Sequence, residues 1–186
     1  MNFTLLKSLF FLFIFFFAAD VNAIEKIEFD INGLKIGDKL TDEFFNNYCS
    51  KKNRGKKEIE CKQKLKIDEI PVTAIYFYYD FSLISVLLTY NSDLYDDLVK
   101  AYKIKFRHFP DKNIEEPINL RTGVQYTNQK VLWVTTSGDF IIEKYSNSFH
   151  DGNAYLKSNE YVKYLEKKKN DSNDGILKRI FSKIFH

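Results

Sequence analysis

The chain has 186 residues, of which 45% are hydrophobic, 28% charged and 17% aromatic, and its formal net charge is +3. This length predicts about one domain, and this apolar content excludes a wholly disordered chain. With only 7 Gly and 3 Pro, the composition also excludes collagen-like and proline-rich spacer sequences.

Residues 1–23 have the pattern of a secretory signal peptide. Lys7 precedes an apolar run over residues 9–19, and Ala23 is a small residue at the predicted cleavage position. This run is shorter than the roughly 20 residues that a membrane-spanning helix needs. We therefore predict an exported protein, periplasmic or secreted, with an uncleaved membrane anchor as the alternative.

The first elements predicted for the mature chain are short. Ile27, Phe29 and Ile31 alternate with charged residues, which predicts a half-buried strand, and Asn32-Gly33 predicts the turn after it. Thr41 is the predicted N-cap of a brief helix that leads into the first cysteine.

Cys49 and Cys61 are the two cysteines of the chain. In an exported protein, an even and closely spaced pair predicts a structural disulfide. A redox-active pair and a metal site are the alternatives. The spacing is wider than the usual Cys-x-x-Cys redox motif, and the histidines are dispersed, at His108, His150 and His186. We expect no metal and no cofactor.

The most basic stretch of the chain lies between and just after the cysteines. Eight cations and two acidic residues give it a net charge of +6 (8 − 2); the cations are Lys51, Lys52, Arg54, Lys56, Lys57, Lys62, Lys64 and Lys66. One interpretation is a solvated loop. The other is a loop that binds an anionic lipid, a cell-wall polymer or an acidic protein surface. Its predicted contact residues are Lys51, Lys52, Arg54, Lys56 and Lys57.

Nucleic acid is not an expected partner of this basic stretch. No aromatic residue stands among its lysines to stack on bases, and an exported protein meets little nucleic acid.

A hairpin and the principal helix are predicted next. Residues 70–79 and 83–90 are rich in β-branched and aromatic residues and predict two antiparallel strands, with Pro71 at a strand start or on an edge. Ser92 is the predicted N-cap of a helix with an apolar stripe from Leu94 to Phe106, which Pro110 ends.

The second half of the chain predicts more strands. We expect a polar connection over residues 110–123, strands over 124–126, 131–135, 140–145 and 153–156, and a helix over 158–168. The predicted fold class is α+β, with an antiparallel sheet built from consecutive hairpins and one main helix packed on one face. Residues 24–166 form a single predicted domain.

This layout resembles a loose group of small exported bacterial proteins with two cysteines and an α+β core, most of them uncharacterised. The resemblance covers residues 29–156 and rests on the secretory signal, the two cysteines, Gly-Leu-Lys-Ile-Gly-Asp at 33–38, Ile70-Pro71-Val72, Trp133 and Gly138. It implies a fold and a compartment, without a known activity.

The C-terminal segment has two predicted parts. Residues 167–175 are a predicted linker, and residues 176–186 a basic amphipathic helix. Its apolar stripe consists of Ile176, Leu177, Ile180, Phe181, Ile184 and Phe185. Three interpretations remain open for this helix: it packs back onto the domain, lies on an anionic membrane surface, or binds a partner protein.

The sequence lacks the motifs of common enzyme classes, such as Gly-x-Ser-x-Gly, His-Glu-x-x-His and the glycine-rich nucleotide-binding loops. Ser146, His150 and Asp151 are close in sequence, but catalytic triads come from distant segments, so we interpret this cluster as a turn. The aspartates at positions 93, 96 and 97 fit a helix N-terminus.

We therefore predict a non-enzymatic, exported binding protein of the bacterial envelope. Its most concrete form is an inhibitor- or immunity-type protein that acts on a partner protein, and an anionic envelope surface is the other predicted partner. The alternative is a peripheral membrane-associated envelope protein that its C-terminal amphipathic helix holds at the bilayer. A cell-wall-directed hydrolase is a third class.

Overall fold

The computed structural model describes residues 27–119, 125–146 and 148–171. The strands of this part are β1 (Asp30–Ile31), β2 (Leu34–Lys35), β3 (Glu58–Ile67), β4 (Ile70–Tyr79), β5 (Ser82–Asn91), β6 (Lys112–Asn119), β7 (Gln125–Thr135), β8 (Gly138–Glu143) and β9 (Asp151–Ser158). Its α-helices are α1 (Asp42–Tyr48), α2 (Tyr95–Phe106) and α3 (Asn159–Asp171).

Two antiparallel sheets are present. The β1 and β2 strands pair in a small hairpin, and the other seven strands form one sheet in the order β3-β4-β5-β9-β8-β7-β6. Each half of this large sheet is a run of consecutive hairpins, and the pairing of β5 with β9 joins the halves, with Leu87 opposite Tyr155. The predicted α+β fold class, with an antiparallel sheet of consecutive hairpins, is confirmed.

The core lies on one face of the large sheet, called here the inner face. It packs against α1 and α2: the Tyr102 ring of α2 lies 4.5 Å from Phe140, and Phe44 of α1 contacts Tyr76 edge-on at 5.2 Å. Trp133 and Phe140 are fully buried. Burial of each such side chain contributes about 1.5–3 kcal/mol, so the inner face contributes substantially to the stability of the sheet.

The opposite face, called here the outer face, carries α3. The Tyr164 ring of this helix lies 4.8 Å from Tyr79 of β4. Ser158 caps the helix, since its hydroxyl accepts a hydrogen bond from the Tyr161 N–H at 2.9 Å. The helix predicted over 158–168 is therefore present, and it covers the face opposite to the main helix.

Two strands differ from the predictions. β3 occupies most of the stretch that was predicted as a basic loop, because Lys62 and Lys64 stand at alternate positions of a strand whose other face buries Ile59 and Cys61. β6 occupies the predicted polar connection. It is an edge strand with Pro117 in it, and an edge strand can form without an alternating apolar face.

Element boundaries also differ from the predictions at three places. Ser92 does not cap α2: its hydroxyl donates to the Phe149 carbonyl, while Asn91 accepts from the Asp93 N–H at 3.0 Å and begins a 3-10 turn. The two strands predicted over 124–126 and 131–135 are one strand, β7. The α3 helix continues to Asp171, into the predicted 167–175 linker.

The predicted signal peptide and the predicted C-terminal helix over 176–186 lie outside the described residues. Within the described ranges, no helix is long and apolar enough to span a bilayer.

Candidate functional site

The predicted disulfide is confirmed. The sulfur atoms of Cys49 and Cys61 lie 1.93 Å apart, and their Cα atoms 4.1 Å apart. The same two residues also pair as an isolated antiparallel bridge. Because Cys61 is fully buried in β3, the bond joins the end of α1 to the edge strand of the large sheet.

Local interactions in α1 determine where Cys49 lies. The Thr41 hydroxyl accepts a hydrogen bond from the Phe44 N–H at 3.2 Å, which confirms the predicted cap. At the other end, the Cys49 N–H donates to the Phe45 carbonyl at 3.0 Å. Phe45 is buried, so the helix is attached to the core immediately before the disulfide.

Residues 50–57 follow the disulfide and are called here the basic loop. It contains a 3-10 turn, Lys51–Asn53, and Gly55 with a φ of +79°, a backbone conformation that favours glycine. The far end of the loop is held by the Asp80 N–H, which donates to the Lys57 carbonyl at 2.8 Å. The basic loop is therefore attached to the sheet at both ends.

The charge of the basic loop is concentrated and all of one sign. Its five cations and no carboxylates give a charge of +5, and all five side chains are exposed; they are Lys51, Lys52, Arg54, Lys56 and Lys57. Among the described residues, no ion pair joins any of them to a carboxylate. This loop therefore presents a cluster of positive charge without an ion-pair partner among the described residues.

Two cations of the loop bind neutral amides. The Arg54 Nη2 donates to the Asn46 side-chain oxygen at 3.0 Å, and its guanidinium lies 5.3 Å from the Phe45 ring centroid. Lys56 Nζ donates to the Asn53 side-chain oxygen at 3.3 Å. These contacts orient the two side chains and leave their charge in place.

The rest of the predicted basic stretch belongs to β3 and is partly neutralised. Lys62 lies 3.3 Å from Glu60, and Lys66 lies 2.7 Å from Glu69. The structure thus divides the +6 stretch into an unpaired loop and a strand with ion pairs. The loop is the part that remains as a candidate binding site.

A cleft at the C-terminal end of α2 is the contrasting case. This open cleft of about 1130 Å³ is lined by groups of both signs, among them Lys105, His108 and Asp111. Lys105 pairs with Asp30 at 3.2 Å, and the His108 ring lies 3.7 Å from Asp111. Because Lys105 and His108 each have an acidic neighbour, the cleft is a weaker candidate for an anionic partner than the basic loop.

The structure also assembles a buried polar cluster that the sequence analysis missed. On the outer face, Lys130 Nζ lies 3.0 Å from Glu143 and also pairs with Glu116, while the Tyr155 hydroxyl donates to Glu143 at 2.8 Å. One feature of the sequence could have indicated this cluster. Glu143 ends an apolar strand, at a position that the alternation of the strand predicts to be half-buried.

The protonation of this cluster follows from its contacts. Burial alone lowers the pKa of the Lys130 ammonium, but its hydrogen bonds and charge interactions with Glu116 and Glu143 outweigh burial and raise it. Burial, with the Glu143 charge, raises the pKa of the Tyr155 phenol well above its ordinary value. The protonated Lys130 and the neutral Tyr155 both contact the Glu143 carboxylate, and Lys130 balances its charge. We therefore interpret the cluster as structural.

The cluster of Ser146, His150 and Asp151 and the tyrosines of β4 both have structural roles. In residues 148–151, the Ser148 hydroxyl donates to the Asp151 carboxylate at 2.7 Å, and the His150 N–H donates to Ser148 at 3.2 Å, as in a turn. Tyr76 and Tyr78 are buried on the inner face, and burial raises the pKa of Tyr78 to about 12. In the described part of the chain, no three His, Cys, Asp or Glu side chains cluster as metal ligands would.

Comparison with protein families, curated proteins and solved structures finds no match to this chain. The resemblance to small exported two-cysteine proteins therefore stays a prediction, and the functional argument depends on the geometry of the basic loop.

Proposed function

We propose that this protein is an exported, non-enzymatic binding protein of the bacterial envelope, whose basic loop binds an acidic surface of a partner protein. The observation that carries the proposal is the set of five unpaired cations between the disulfide and β3. A surface of one sign attracts a partner of the opposite sign and accelerates its association.

The attachment of the loop supports this proposal. The disulfide holds one end and the hydrogen bond from Asp80 to Lys57 holds the other, so the backbone of the loop is held at both ends before the partner arrives. A loop that is already ordered loses less conformational entropy on binding. Such an exposed and attached loop suits an inhibitor- or immunity-type protein that occupies a cleft of its partner.

The disulfide also supports the predicted compartment. Structural disulfides form and persist in oxidising environments such as the periplasm and the cell exterior. A disulfide-bonded pair is compatible with an exported protein.

Charge reversal in the basic loop tests the proposed function. The test variant changes Lys51, Lys52, Lys56 and Lys57 to Glu, and the mature protein is used to capture partners from envelope extract. We expect capture to be lost while the melting temperature stays within a few degrees of the wild-type value, since all four side chains are exposed.

The matched control reverses four other exposed lysines and so carries the same net charge; these are Lys100, Lys112, Lys163 and Lys167. We expect the control to retain the partner. Capture of the same partner by the loop variant at wild-type yield would contradict the proposal. Because exposed charges are screened over about 8 Å at physiological salt, capture should also weaken as salt is raised.

The peripheral-membrane alternative depends on residues 176–186, which lie outside the described residues. It stays a prediction.

A further inference from the structure

Two strongly exposed apolar side chains lie at the C-terminal end of α2. Phe109 is 77% exposed and Ile104 is 64% exposed, which are the highest values among the large hydrophobic residues of the described part of the chain. They stand on either side of Arg107, the residue at which the helix ends. Exposed apolar side chains that occur together mark interaction sites, whereas single ones are common on any surface. The pair Ile104 and Phe109 is called here the apolar tip.

Cations accompany the apolar tip. Residues 98–110 contain no carboxylate and four cations, which are Lys100, Lys103, Lys105 and Arg107. The Lys103 ammonium lies 5.7 Å from the centroid of the Phe109 ring, so this lysine is next to the tip in space as well as in sequence. Among the described residues, no ion pair joins Lys103 or Arg107 to a carboxylate. Two unpaired cations therefore flank the apolar tip.

Two carboxylates near this end of α2 already have basic neighbours. Asp30 pairs with Lys105 at 3.2 Å, and Asp111 lies 3.7 Å from the His108 ring. Arg107 lines the cleft described above together with Lys105 and His108, but unlike them it has no acidic neighbour within ion-pair distance in the described structure. The charge that stays without a partner at this end of α2 is therefore positive.

The backbone at Arg107 is an independent observation that points to function. Its φ is +51°, in the left-handed region where glycine is the usual residue at the end of a helix. A residue with a side chain is strained in this region, and such strain is concentrated at functional sites. The helix dipole favours cations in the last turn, but Lys103 and Lys105 already supply them. The chain thus keeps a cation at a position where glycine would be more stable.

The size and chemistry of this surface favour a lipid bilayer over a protein partner. A stable protein interface buries about 800 Å² on each side, far more than two side chains supply. A bilayer needs no pocket of matching shape, because apolar side chains enter its interfacial region while adjacent cations bind anionic headgroups. The apolar tip with Lys103 and Arg107 has this combination. The basic loop lacks it, since residues 50–57 contain cations but no apolar side chain.

We propose that the C-terminal end of α2 is a contact site for an anionic membrane surface. Ile104 and Phe109 insert into the interfacial region of the bilayer, and Lys103 and Arg107 bind the headgroup phosphates. The contact is reversible, since two side chains bury little apolar surface. It uses neither the basic loop nor residues 176–186, and it does not depend on the proposed partner protein.

Vesicle binding by the full mature chain tests this site. The probes are vesicles of phosphatidylglycerol, which is anionic, and vesicles of phosphatidylcholine, which carries no net charge; we expect binding to the first alone. The variant Ile104→Gln/Phe109→Gln should bind phosphatidylglycerol vesicles at least about tenfold more weakly, because it loses the inserted apolar surface. Its melting temperature should not fall, since both side chains are exposed.

The matched control removes the same two residue types at exposed positions elsewhere on the surface. This control, Phe81→Gln/Ile114→Gln, should keep the wild-type affinity for phosphatidylglycerol vesicles. A wild-type chain that does not bind these vesicles would overturn the proposal. So would wild-type affinity in the tip variant, which would place the contact in the basic loop or in residues 176–186, and so would an equal loss in the control.

Arg107 allows a test in which stability and binding change in opposite directions. Arg107→Gly relieves the left-handed strain and removes the charge, so we expect the melting temperature to rise by about 2 °C while vesicle affinity falls about fivefold. Arg107→Lys keeps both the charge and the strain and should resemble the wild type in both measurements. Wild-type vesicle affinity in Arg107→Gly would contradict the role of this cation.

A fluorescent residue at the tip reports insertion directly. Trp133 is fully buried, so a Trp introduced by Phe109→Trp is the one that meets lipid. We expect phosphatidylglycerol vesicles to shift its emission to shorter wavelength, with no such shift for Phe81→Trp. An unchanged Phe109→Trp spectrum would overturn the proposal. All these variants leave residues 50–57 unchanged, so this proposal and the proposed function can fail separately.

Discussion

The Lys130 ammonium lies 3.0 Å from the Glu143 carboxylate on the outer face of the large sheet, where only 12% of the Glu143 side chain is exposed. The two residues stand opposite each other in the register of β7 and β8. A carboxylate this far from water depends on its counter-ion, because an unpaired buried charge costs several kcal/mol.

Removal of the lysine charge should therefore destabilise the protein strongly. We expect Lys130→Met to lower the free energy of unfolding by about 3 kcal/mol or more, measured by urea denaturation, because Glu143 loses its counter-ion. Lys112→Met, at an exposed position of β6, should change it by less than about 0.5 kcal/mol. The double variant Lys130→Met/Glu143→Gln should recover most of the loss, since the amide is uncharged and still accepts from Tyr155. A double variant as unstable as the single one would contradict this explanation.

Stability should fall at alkaline pH because of the buried tyrosines. Burial is the largest cause that raises the pKa values of Tyr78, Tyr95 and Tyr161 to about 12, against 10 in the unfolded chain. Between pH 10 and 12 the unfolded chain thus binds fewer protons than the folded chain, so the stability present below pH 10 decreases as pH rises. We expect the urea midpoint to be flat up to about pH 9 and to fall steadily above pH 10. If all tyrosines of the still-folded protein show phenolate absorbance as pH is raised, the explanation by buried tyrosines is contradicted.

The disulfide should contribute to stability through the loop that it closes. Its sequence separation is 12, for which chain entropy predicts about 3 kcal/mol. We expect the variant Cys49→Ser/Cys61→Ser, or the reduced protein, to unfold at a clearly lower urea concentration. The intact mass of the native protein should be lower than that of the reduced chain by two hydrogen atoms. A reduced protein with an unchanged midpoint would show that the loop is held by its hydrogen bonds alone.

Gly138 should tolerate no side chain. Its φ is +140°, and a Cβ there would lie 2.2 Å from the Lys157 carbonyl oxygen and 2.7 Å from the Ser158 Cα, so β8 or β9 would have to move. Gly37 is a matched control with a φ of +93° and nothing within 4 Å of its Cβ position. We expect Gly37→Ala to cost about 1 kcal/mol from backbone strain, and Gly138→Ala to cost at least twice that amount. If thermal denaturation shows equal destabilisation by the two variants, the strands accommodate the new Cβ without loss of stability, which would contradict this prediction.

Local signals in the sequence determined much of the fold. The Thr41 cap, the helix that leads to Cys49, the hairpin over residues 70–90 and the stripe of α2 each depend on neighbours within one or two turns. The disulfide is also local, because only two cysteines exist and they are close in the chain. These features could be predicted because hydrophobic period, capping and turn chemistry act over short distances.

Tertiary structure decided what depends on distant residues. The many lysines of β3 obscure its alternation of buried and exposed residues, and only the pairing with β4 determines which face is buried. The β6 strand forms at the sheet edge, where an alternating apolar face is not required. The join of β5 to β9 brings Leu87 opposite Tyr155, 68 positions later (155 − 87), and the register of β7 with β8 pairs Lys130 with Glu143. The net charge of +3 likewise said little about binding. The fold decided which cations are paired on β3 and which stay unpaired in the basic loop, because the extended strand places Lys62 beside Glu60 on one face and the turn after it brings Glu69 to Lys66.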